Sequence, residues 1–127
     1  MSVWRRKAIE CLPELRKEFE HPDMTIYSAF TEILVATRQA HIKNDISKLK
    51  KIYGFAEWCF RQKEKKLWNA AGVSFYEHLG DYNEIYQAIP TWINRDIYHD
   101  IKPLLEWRLG KNKFKELDEY YMKNRKD

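Results

Sequence analysis

Apolar residues recur at steps of three and four along almost the whole chain, and that spacing predicts helices. Ser2 stands as a cap ahead of a helix whose apolar positions are Val3, Trp4, Ala8, Ile9, Cys11 and Leu12. Pro13 lacks an N–H, so it ends or kinks that helix and suits the first position of a new turn. Residues 14–20 continue with Leu15 and Phe19, and His21-Pro22-Asp23 is the first clear break. Thr25 caps a second helix reaching about Asn44, with Ile26, Ala29, Phe30, Ile33, Leu34, Thr37 and Ala40 on one face. Asp45 caps a third, striped by Leu49, Ile52, Tyr53, Ala56 and Phe60. Gly54 interrupts this third helix at a cost of about 1 kcal/mol relative to alanine. A close helix–helix contact would explain it.

The segment from about residue 64 to 79 is apolar in nearly every direction around a helical axis, as in a helix buried on more than one side. Gly80 is the expected left-handed stop. Asp81 then caps a short helix over residues 82–89, closed by Pro90. Thr91 caps a sixth helix carrying Trp92, Ile93, Ile97, Tyr98 and Ile101, and Pro103 kinks it before Leu104, Leu105, Trp107 and Leu109 resume the pattern. Gly110 ends it. A last helix runs from Asn112 to about Lys123 with Phe114, Leu117, Tyr120 and Tyr121, and the tail 123–127 has nothing to bury and frays. No stretch alternates with period two. The expectation is one all-α domain over residues 1–127, of six or seven antiparallel helices. Their arrangement is read as stacked hairpins, like a short HEAT-type α-solenoid, around the buried helix near 64–79. No clear repeat of about 30 to 45 residues accompanies it.

Composition sharpens this only in part. With 44% hydrophobic and 15% aromatic residues in 127, the chain is too rich in apolar side chains to be disordered. Four Gly and four Pro exclude a collagen-like or low-complexity chain. No apolar run approaches the ~20 residues that span a bilayer. The basic start at Arg5-Arg6-Lys7 has no apolar region behind it, unlike a secretion signal. Cys11 and Cys59 sit in apolar stripes and read as buried free thiols, which points to a reducing cytoplasm.

The net charge of +4 is unevenly spread. Residues 48–66 hold seven basic and two acidic side chains, whereas residues 67–110 hold three basic and six acidic. Lys48, Lys50, Lys51, Lys63, Lys65 and Lys66 form the basic block, which reads first as solubility and a helix-end effect. A nucleic-acid surface is the alternative, without a recognisable binding motif and with lysine in place of base-reading arginine. The histidines and cysteines lack zinc spacing, and no phosphate loop or nucleophile elbow occurs, so no metal, cofactor or catalytic residue is assigned.

One polar group stands out on the buried-looking fourth helix: Asn69, Ser74, Glu77 and His78. Glu77 is expected to pair with an arginine or a backbone N–H and tie helices together. As neighbours on a helix, Glu77 and His78 point about 100° apart, which keeps them from sharing one substrate atom. Aromatic residues crowd late, with 4 in residues 1–50 and 15 in 51–127. Tyr82, Tyr86, Trp92 and Tyr98 are the candidate anchors of a protein interface, since Tyr and Trp dominate such contacts.

The Leu12-Pro13-Glu14-Leu15 opening and the Asn69-Ala70-Ala71-Gly72-Val73-Ser74-Phe75-Tyr76-Glu77-His78-Leu79 segment resemble a group of small bacterial all-helical proteins of unknown function. Some relatives look like immunity proteins encoded beside polymorphic toxins. The resemblance implies a non-enzymatic binder of a protein partner, and the basic net charge argues against a mimic of nucleic acid. Assembly with a second copy of the chain stays open.

Overall fold

The computed structural model describes residues 1–123, which form an all-α protein with no strand among them. The Ser2 side chain accepts the Arg5 N–H and opens α1, Val3–Cys11. A single 3-10 turn at Pro13–Leu15 bridges to α2, Arg16–Glu20. Thr25 accepts the Ser28 N–H at 3.1 Å to start α3, Ile26–Ile42, and Asp45 accepts the Lys48 N–H at 3.1 Å to start α4, Ile46–Phe60. Between these two helices Asn44 takes a left-handed φ of 54°, a conformation that Asn tolerates better than most residues, so three residues reverse the chain. The remaining helices are α5 Lys65–Ala70, α6 Asn83–Tyr86, α7 Ile89–Trp92, α8 Arg95–Leu109 and α9 Lys111–Lys123. There are thus nine among the described residues rather than six or seven. Apart from Lys123, the tail expected to fray lies outside the described residues.

The central segment departs most from expectation. After α5 the backbone widens into a π turn at Ala71–Phe75, then tightens into a 3-10 stretch at Tyr76–Asp81. Phe75, at φ −125° and ψ −72°, is where one becomes the other. The segment is buried as its all-round apolarity implies, against α3, α4 and α8. Phe75 is 0% exposed, with ring centroids 5.6 Å from Phe30, 5.8 Å from Tyr53 and 5.4 Å from Tyr76.

Glycine roles differ from expectation in two places. Gly80 is not left-handed; among the described glycines only Gly110 is, at φ +83°, where it ends α8. Gly80 instead lies under Leu109, whose Cδ2 would stand 2.3 Å from an added Cβ, so the 3-10 stretch and α8 meet closely because this residue has no side chain. Gly54 has no heavy atom within 4 Å of where its Cβ would be. The close contact expected there does not exist.

The turns after Gly80 also differ. Asp81 does not cap α6, because its carboxylate is engaged elsewhere, and α6 starts after Tyr82 without a side-chain cap. Pro90 falls in the first turn of α7, where a missing N–H costs nothing, rather than closing the preceding helix. Thr91 lies within α7, and Asn94 precedes α8. The helix runs from Arg95 to Leu109 through exposed Pro103.

Two further features hold the elements in place. Buried Cys11 on α1 and Cys59 on α4 are free thiols, and burial, the main cause, pushes each up to about 12. Arg5 on α1 reaches the loop after α2, where its Nη1 donates to the carbonyls of Phe19 at 2.6 Å and His21 at 2.9 Å, and its Nη2 to that of Met24. One forked cation thus satisfies three carbonyls at a helix end. Arg5→Ala should lower stability by about 2 kcal/mol in urea unfolding, and Arg5→Lys should recover less than half, because an ammonium has no rigid fork.

Candidate interaction surface

On a regular helix Glu77 and His78 would diverge. Here the wide turn followed by the tight one brings Glu77 Oε2 to 3.7 Å from His78 Nε2. His78 Nδ1 lies 3.1 Å from Asp81 Oδ2, and Arg108 from α8 forks onto the same carboxylate, Nε to Oδ1 and Nη2 to Oδ2, each at 2.9 Å. Half-buried Glu77 and His78 and exposed Asp81 and Arg108 therefore form one cluster that clasps the 3-10 stretch to α8. Glu77 lies beside His78 in this cluster, and its charge also acts on the Arg108 guanidinium. Arg108 above all, with His78 adding to it, holds the Asp81 carboxyl below its ordinary 3.8 against the opposing effect of partial burial. Both Asp81 oxygens accept hydrogen bonds, so the arrangement binds the two segments together. Asn69, by contrast, donates to the Tyr27 hydroxyl at 2.9 Å and ties α5 to α3, while Ser74 is half-buried in the wide turn.

The four candidate aromatic anchors separate. Tyr82 alone is exposed, at 36%. The Arg38 guanidinium stands 4.2 Å from the centre of its ring and also donates to Glu84 at 2.6 Å. Tyr86 is only 5% exposed and donates to the Lys113 carbonyl at 3.0 Å. Tyr98 is 3% exposed, donates to Asp118 Oδ1 at 2.7 Å and stacks on Tyr121 at 3.7 Å. Trp92 is half-buried and stacked on Tyr53 at 5.2 Å. Tyr86 and Tyr98 belong to the packing of the fold: their rings are covered and each hydroxyl reaches an acceptor, so neither is free to anchor a partner. Trp92 is packed on one face and part-exposed.

The surface that does present aromatic side chains includes one that the sequence pattern groups with the apolar positions of its helix, and the structure corrects that placement. Trp107 on α8 is 81% exposed. The buried stripe of α8 is Ile97, Ile101 and Leu105, and Trp107 lies about 200° around the axis from Leu105. Trp107 precedes Arg108, Arg108 holds Asp81, and Asp81 precedes Tyr82 with its Arg38 stack. Val35, Arg38 and Ile42, all exposed, continue this surface along α3 at steps of three and four.

The six lysines do not form one patch. Lys48, Lys50 and Lys51 lie in the first turns of α4, whereas Lys63, Lys65 and Lys66 follow its end, roughly 22 Å away for a 15-residue helix. Lys48 is moreover paired with Glu14. Among the described residues no group of three or more His, Cys, Asp or Glu could hold a metal ion, and no helix is long and apolar enough to cross a membrane.

This is an all-α protein that exposes Trp107 and, elsewhere in the described residues, a Tyr82–Arg38 stack. Its sequence matches the family described as Domain of unknown function (DUF7674) over residues 5–116, and the chain belongs to that family. Both segments that carry the resemblance, Leu12–Leu15 and Asn69–Leu79, lie within the matched span. No curated protein and no solved structure matches the chain.

The clasp has a pH signature. Because the folded Asp81 carboxyl titrates below 3.8, its contribution is complete above that value and is lost as the pH falls through the lower folded one. Asp81→Asn should be less stable than the wild type at about pH 7, and the gap should close toward about pH 2 in urea unfolding. A gap that does not change with pH would show that the fork adds no ionic stabilisation.

Proposed function

We propose that the protein is a non-enzymatic binding module that recognises another protein through the surface of Trp107, Arg108, Tyr82 and Arg38. The observation that carries this reading is Trp107 at 81% exposure. A tryptophan left in water on a fold that covers most of its other aromatic rings has a large unburied area to contribute to a contact. Tryptophan, tyrosine and arginine are the residue types that dominate interface energetics. Arg38 and Arg108 are held in place by Glu84 and Asp81, so neither loses much freedom on binding. The paired charges leave the surface close to neutral, which suits a protein partner better than a polyanion.

The more specific reading, an immunity-type protein that neutralises a partner toxin, rests on the resemblance of the Asn69–Leu79 segment and is tested by co-expression. The protein should co-purify with the product of its neighbouring gene and rescue growth when that product is toxic. Trp107→Ala should weaken the complex by about thirtyfold, a loss near 2 kcal/mol, with the melting temperature unchanged because the side chain packs little in the free protein. No complex and no rescue would overturn the toxin reading, and full affinity in both Trp107→Ala and Tyr82→Ala would overturn the surface.

A further inference from the structure

Gly54 stands in the middle of α4, where glycine weakens a helix, yet nothing in the fold requires it: the position is exposed and the space above its α-carbon is open. That space is part of a groove of about 330 Å³ between α1 and α4. From α4 its wall is Lys51, Gly54, Phe55 and Trp58, at steps i, i+3, i+4 and i+7. From α1 come Lys7 and Glu10, and Lys7 Nζ lies 4.9 Å from the centre of the Trp58 ring.

We propose that this groove receives an amphipathic helix of a partner protein, with a small residue over Gly54 and carboxylates facing Lys7 and Lys51. A valley between two packed helices is the shape into which the side-chain ridge of a third helix fits, and a bare glycine backbone lets its axis come close. Phe55 and Trp58 supply the apolar floor and wall. The charge selects the sign of the partner. Lys7 and Lys51 line the groove, and exposed Lys50 shares the stripe of Gly54. Against them stand Glu10 and, beyond the lining, Glu14, whose carboxylate is engaged by Lys48. An acidic helix is therefore attracted and a basic one repelled. This site is separate from the Trp107 surface and does not depend on it.

The test uses the full chain and a display library of helical 20-residue peptides, selected on the wild type and counter-selected on Gly54→Leu. The peptides retained should be acidic and amphipathic with a small central residue. Their affinity should fall at least about tenfold in Gly54→Leu and in the Lys7→Glu/Lys51→Glu double variant, fall with added salt, and stay unchanged in Trp107→Ala. Gly54→Ala should raise the melting temperature by about 3 °C, since alanine favours the helix and meets no neighbour. A lower melting temperature would show that the fold itself needs the glycine and would overturn the proposal. Peptides that are neutral or basic would overturn it as well, as would peptides displaced by a single-stranded oligonucleotide that binds through the same lysines.

Discussion

Phe75 sits at the centre of the core because the backbone around it is not a regular helix. The π turn at Ala71–Phe75 adds width where α5 would otherwise continue, and one extra residue in a turn rotates everything after it by about 100°. That rotation places Phe75 among Phe30, Tyr53 and Tyr76. Through Tyr53 the contact reaches Trp92 on α7, and through Phe30 it reaches Phe55 on α4. The same departure swings Glu77, His78 and Asp81 toward α8, where Arg108 meets them. A core packed around one ring and a surface clasp thus share a single backbone cause. Wide turns of this kind cost helical hydrogen-bond regularity and are common at functional sites. Here the turn carries the segment with the most distinctive local sequence.

How far these features were legible depends on the range of the interactions that set them. Ser2, Thr25 and Asp45 each act within three residues of their own position, and each does open its helix as its side chain implies. Gly110 likewise ends α8. The stripes of α3 and α4 follow from spacing alone. In the central segment the spacing showed burial on all sides, correctly, but apolarity in every direction carries no phase, so it could not reveal where the backbone widens. Gly80 shows the same limit. Its reason is Leu109, far along the chain, and a glycine that allows close approach looks the same in sequence as one that ends a helix. Tyr86 and Tyr98 are covered because α9 lies across them and offers acceptors at Lys113 and Asp118. Trp107 is the reverse case: the apolar pattern includes it, yet the phase of Ile97, Ile101 and Leu105 on its own helix sets it on the opposite side.

The charge distribution also changes meaning once folded. The excess of basic residues between 48 and 66 is partly consumed by structure. Lys48 pairs with Glu14 beside α1. Arg61 holds both Glu57 and Asp96 at 2.8 Å, and Asn94 donates to Glu57 at 3.1 Å, so a small network binds the end of α4 to the start of α8. What remains exposed is divided between the two ends of one helix. The acidic character of residues 67–110 is similarly absorbed, since Asp81, Glu84 and Asp96 all face arginines. Regional net charge here describes how elements are fastened together at least as much as what they attract.

The two covered thiols on α1 and α4 make the first helix observable. A thiol held fully protonated at neutral pH, and shielded from solvent, is almost inert to alkylating reagents. Cys11 lies against the α1–α4 seam and Cys59 is wholly enclosed. Their labelling kinetics therefore report the rate and free energy with which that seam opens. Mass spectrometry of the native chain can then separate release of α1, which frees Cys11 first, from opening of the whole core, which frees both together.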